Sequence, residues 1–171
     1  EIGYVRQIAL IKALQDQYGI EFTSAHVPRQ KLEEDLTHQV DIYREMGVTN
    51  LVMPHYGRPR PEGEPQITLA NPDDVEELVE SLQTFATNVP SGATALYHNH
   101  GDELSNNIDG VPVWNYIAKQ TKSEGLGFEL DWMWVVHGTA KGNPSTTHLM
   151  ANNLPGNHFA PQQIISEYGE R

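Results

Sequence analysis

The chain has 171 residues, 11 basic and 23 acidic, and a formal net charge of −12. That length suits one domain with a real core, while the acidic balance argues against a nucleic-acid partner, which needs a basic footprint. The absence of cysteine excludes disulfides, zinc–thiolate centres and a cysteine nucleophile. No apolar run approaches the ~20 residues of a membrane helix and no leader peptide is visible, so the expectation is no membrane partner and a cytoplasmic location.

In chain order, Arg6–Tyr18 reads as an amphipathic helix, with Ile8, Ile11, Leu14 and Tyr18 on one stripe. Gly19 ends it and Ile20–Val27 reads as a strand. A second helix covers Lys31–Met46, with Leu32, Leu36, Val40 and Tyr43 on one face, and Asn50–Pro54 reads as a strand leading to His55. The stretch 56–70 is rich in Pro, Gly and charge and reads as a long loop. Asn71 is placed to cap a third helix that starts at Pro72, carries Asp73 and Asp74 in its first turn, and buries Val75, Leu78, Val79, Leu82 and Phe85. Ala93–Tyr97 reads as a strand opening into His98-Asn99-His100. A shorter helix follows Pro112, and Gly127–Asp131 reads as a strand. Residues 138–160 read as irregular, with the insertion proper at 139–159, and a last short helix is expected within Asn157–Arg171. No linker divides the chain, so 1–171 reads as a single domain.

Each connection between strands contains a helix and none reads as a hairpin. That order predicts an α/β fold of about four parallel β/α units with crossover helices. In such folds the working groups lie at the carboxyl ends of the strands. Here those ends carry His26, His55, His98 with His100, and Asp131. His98 and His100 share a face while the strand stays extended, as do Glu129 and Asp131. A buried carboxylate pair is costly without a positive partner. A divalent cation is the simplest one, and a histidine-plus-carboxylate set suits Mn²⁺, Zn²⁺, Co²⁺ or Fe²⁺.

Several residues keep two readings. His26 is a ligand or a rim histidine bonded to a loop carbonyl. His55 is functional or simply solvated. Glu129 faces a metal or pairs with a basic side chain. Asp102 and Glu103 sit in a turn or reach back to the site. Trp132 and Trp134 are core or a sugar-stacking platform. His137, His148 and His158 fall in or near irregular sequence and read as solvated. The acidic runs Glu33-Glu34-Asp35 and Asp73-Asp74 read as helix N-terminal charges.

Tyr97-His98-Asn99-His100-Gly101-Asp102-Glu103-Leu104 resembles the YHNH-x-x-E-F strand end of the sugar phosphate isomerase/epimerase family, the xylose-isomerase-like TIM barrels. Phe128-Glu129-Leu130-Asp131 with the following Trp134-Val135-Val136 resembles that family's FELD-x-x-WVV segment. The segments Ser24–Pro28 and Met46–Pro54 are similar to two earlier strand regions. The resemblance implies a partial (β/α) TIM barrel, since counterparts of two early strands and of the seventh and eighth are missing, against the ~250 residues typical of a complete barrel. It also implies a divalent metal (Mn, Co, Zn or Mg) held by Asp131 with His98 and His100. Glu103 and Glu129 would be the catalytic carboxylates, and His26, His55 and Trp134 would bind substrate.

The implied chemistry is isomerisation or epimerisation of a small-molecule keto-sugar or sugar phosphate through an enediolate. Two other readings stand beside it. One is a metal- or sugar-binding fragment without turnover that needs a partner to complete the fold. The other is an abasic-site endonuclease, against which the charge of −12 counts. The open sheet edges of an incomplete barrel predict self-association as a homo-oligomer.

Overall fold

A computed structural model describes residues 2–141; the expected helix at the C-terminus, His148 and His158 lie outside the described residues. The elements are α1 (Ile2–Tyr18), β1 (Ser24–His26), α2 (Arg29–Glu45), β2 (Asn50–Met53), α3 (Pro72–Asn88), β3 (Thr94–His98), α4 (Asp102–Ser105), β4 (Asn107–Ile108), β5 (Val111–Pro112), α5 (Val113–Gln120), β6 (Gly127–Glu129) and α6 (Trp132–Lys141). This is an α/β fold. Its main sheet has four parallel strands in the order β1-β2-β3-β6. The chain therefore advances one strand at a time, and right-handed crossovers stepping in one direction lay their helices on one face.

Strand alternation divides the two faces. Leu51, Met53, Ala95 and Tyr97 join the helix side, where they meet Val75, Leu78, Val79, Leu82 and Phe85 of α3 in one core. The stripe expected on α3 is the one that is buried. Its cap is also as expected, with Asn71 Oδ1 accepting from Asp73 N at 3.1 Å. The opposite parity, with His26, Val52, Leu96, His98 and Glu129, forms the other face of the sheet.

Several expectations change. The expectation of no hairpin fails at β4 and β5, which pair antiparallel. Asp109 and Gly110 both have positive φ, 50° and 80°, and an Asp-Gly pair is a favoured two-residue turn for that geometry. Residues 138–141 are helical, continuing α6, rather than irregular. The stripe on α1 is not buried: Leu14 and Tyr18 are 39% and 63% exposed, because no described element covers them.

The acidic run in α2 is not a simple N-terminal charge cluster. Asp35 interrupts the helix with φ −158°, and its Oδ1 accepts from His38 N at 3.0 Å, capping the second half. Glu33 accepts from the buried Arg29 at 2.7 Å. Arg29 also donates to Tyr56 O at 2.8 Å and to Glu77 at 2.9 Å. Arg60 bonds Asp74 and Glu77 at 2.6 and 2.8 Å. These bonds, with Ile67 and Leu69 buried in the core, hold the loop after β2 against α2 and α3. Among the described residues no helix is long and apolar enough to cross a membrane.

Candidate metal centre

Parallel register sets His98 beside Glu129, and in-register residues on neighbouring strands project from the same face. His98 Nδ1 lies 2.9 Å from Glu129 Oε2. His26, at the end of β1, brings its Nε2 to 2.6 Å from the same oxygen. The His26 and His98 rings are 4.8 Å apart. β1 and β6 are separated by three strand spacings, about 14 Å in a flat sheet. Contact between their side chains therefore requires the sheet to bow toward this face.

The three donors all lie within 4.8 Å of one another. Two imidazoles and a carboxylate are a donor set for a borderline divalent ion. Metal–ligand distances near 2.1 Å space tetrahedral donors by about 3.4 Å, so a modest opening of the group admits an ion. Burial opposes ionisation of Glu129, but the hydrogen bonds from His26 and His98 prevail and hold its carboxyl below the ordinary glutamate value.

Asp131 stands next to this group, with Oδ2 3.7 Å from His98 Nε2. The strand ends at Glu129, so alternation no longer governs Asp131. Its Oδ1 accepts from Trp134 N at 3.1 Å and caps α6. His100 likewise falls past the end of β3. Its ring is 5.1 Å from that of His98, 5.3 Å from His55 and 5.2 Å from Trp134. Its Nδ1 is buried without a hydrogen-bond partner among the described residues. Desolvation, helped by His98 and His55, keeps His100 below the ordinary histidine value. Trp134 is half-buried and His137 exposed, with their rings 5.3 Å apart.

Glu103 does not face this cluster openly. It is fully buried, where it accepts from Tyr97 Oη at 2.6 Å and from His100 N at 2.9 Å. Burial pushes its carboxyl up in spite of those bonds. Tyr56 donates to Asp102 at 3.2 Å, and burial followed by the Asp102 charge pushes its phenol up to about 12. The sequence reading thus named His26, His98 and Glu129 as site residues but divided them among substrate binding, metal binding and catalysis. The structure brings these three together and leaves Asp131, His100, His55 and Trp134 around them.

Asn99 was not singled out. It is fully buried, and its side chain both accepts from Asp131 N at 2.8 Å and donates to Asp131 O at 3.3 Å. It ties the segment after β3 to the segment after β6. An asparagine between two strand-end histidines was the available signal, since a buried amide needs backbone partners. No protein-family model matches the chain, and no curated protein matches it.

Proposed function

We propose that the chain is a divalent-metal-dependent isomerase or epimerase of a keto-sugar or sugar phosphate, built as part of a xylose-isomerase-like barrel. In this proposal His26, His98 and Glu129 hold the ion and Asp131 is the next donor. The observation that carries it is the convergence of these three side chains, from three strands, on one point at 2.6 and 2.9 Å. The bowing of the sheet toward the same face supports the partial-barrel reading. A bound divalent ion supplies Lewis acidity to a carbonyl and so eases removal of a neighbouring proton. His100, whose buried Nδ1 has no hydrogen-bond partner among the described residues, is the group suited to accept that proton. Glu103 acts through the His100 backbone, and in this reading Trp134 and His55 would contact the sugar.

Calorimetric titration with Mn²⁺, Co²⁺ and Zn²⁺ tests the centre. One ion per chain is expected, and no binding by any of the three sinks the reading. A ketose screen on the metal-loaded protein then tests turnover. One observation favours the reading of binding without turnover. Glu103 is fully buried and accepts two hydrogen bonds, and Glu129 is held by both histidines, so neither of the two expected catalytic carboxylates is free to move a proton. Turnover that disappears in Asp131→Asn would defeat this second reading.

A further inference from the structure

His55 begins the loop after β2, and its Nδ1 accepts a hydrogen bond from the Gly57 backbone N–H at 2.8 Å. An imidazole nitrogen has one in-plane position, filled by a lone pair or by a proton. A nitrogen that accepts carries no proton, so in the neutral ring the proton sits on Nε2. Freeing Nε2 for a metal would move its proton to Nδ1, where it would meet the Gly57 N–H, whereas His26 and His98 face a carboxylate and can release their protons to the other ring nitrogen. The ring plane is held as well. His55 stacks on Tyr56 at 4.2 Å and 25°, and contacts His100 edge-on at 5.3 Å. Tyr56 is in turn tied through its backbone oxygen to Arg29 at 2.8 Å and through its hydroxyl to Asp102 at 3.2 Å.

A side chain at residue 57 would crowd the His55 ring. A Cβ there would lie 3.0 Å from His55 Nδ1 and 3.2 Å from Cε1. Any side chain would press the ring away from the N–H that it accepts from. Desolvation lowers His55 below the ordinary histidine value against the pull of Asp102, which agrees with a neutral ring.

We propose that Gly57 is a positioning residue that locks His55 in the Nε2–H tautomer, so that His55 offers the site a hydrogen-bond donor and no metal lone pair. The exclusion from ligation rests on the metal-centre reading; the tautomer does not.

Long-range ¹H–¹⁵N correlation of the ¹⁵N-labelled protein, above the histidine titration range, tests both parts. The metal-free spectrum is expected to give His55 a protonated Nε2 and an unprotonated Nδ1, with a coupling across the hydrogen bond between Gly57 N and His55 Nδ1. On adding Zn²⁺, the nitrogens of His26 and His98 are expected to shift while the His55 pattern stays. Gly57→Ala is expected to lose the single-tautomer pattern. A protonated Nδ1 on His55, a His55 nitrogen that shifts as a zinc ligand, or an unchanged pattern in Gly57→Ala overturns the proposal. Zn²⁺ that moves no histidine counts against the metal centre instead, and the metal-free spectrum still decides the tautomer.

Discussion

A single carboxylate oxygen of Glu129 serves two histidines, so the charge of that group is shared by the whole centre. Glu129→Gln keeps the shape and removes the charge. Losing even an outer-shell partner costs metal sites ~10–100-fold in affinity, so this substitution is expected to weaken Zn²⁺ or Co²⁺ binding by at least ~10-fold in calorimetry. Glu103 makes the opposite case, a buried acid whose work is to accept. Glu103→Ala leaves the Tyr97 hydroxyl and the His100 N–H without partners, and each orphaned donor costs about 1–3 kcal/mol. Urea denaturation is expected to show that loss. The raised pKa of Glu103 also has a sign in stability. A carboxyl whose folded value lies above its unfolded value takes up a proton on folding. Its contribution is full below the unfolded pKa and is lost as pH rises through the folded one. Denaturation midpoints followed upward from the ordinary glutamate range should therefore carry a downward contribution that Glu103→Gln removes. An equal slope in both proteins would mean that burial does not perturb this group.

At the scale of elements, α3 and α6 are held in different ways. α3 starts with a cap and an apolar stripe that are both local in sequence, so it was legible before any tertiary contact. Asn71→Ala is expected to cost about 1 kcal/mol, measured as a shift in chemical denaturation. α6 depends on a close crossing. A Cβ on Gly138 would come 2.5 Å from Gly101 O and 2.8 Å from Gly101 Cα, which are backbone atoms and cannot swing aside. Gly138→Ala is therefore expected to cost about 1–3 kcal/mol, the range for overpacking, even though alanine is the better helix former. If Gly138→Ala proves more stable than the parent, the crossing is looser than its geometry implies. The β4–β5 hairpin was missed for a related reason. Its strands are two residues each, too short for alternation to register, and the Asp109-Gly110 turn was the available sign.

For the molecule as a whole, an ion at the strand ends would tie β1, β3 and β6 together. A ligand present at 100 times its dissociation constant stabilises the folded state by about 2.7 kcal/mol, which in a chain of this size raises Tm by about 5–10 °C. Zn²⁺ or Co²⁺ is expected to produce such a rise, a chelator to reverse it, and Glu129→Gln to remove about half of it or more. The parallel strand order, the helices between strands and the apolar faces of α2 and α3 were legible from periodicity and turn residues, because those features depend on neighbours within a few positions. Legible too was the gathering of histidines and acids at strand ends, since the topology puts every strand's carboxyl end on one side. Which of them meet was not. β3 stops at His98 and β6 at Glu129, so the two-residue alternation that joined His98 to His100 and Glu129 to Asp131 breaks at that point. His26 reaches Glu129 only because the sheet bows across three strand spacings, and curvature is a property of packed strands that no single strand's residues contain.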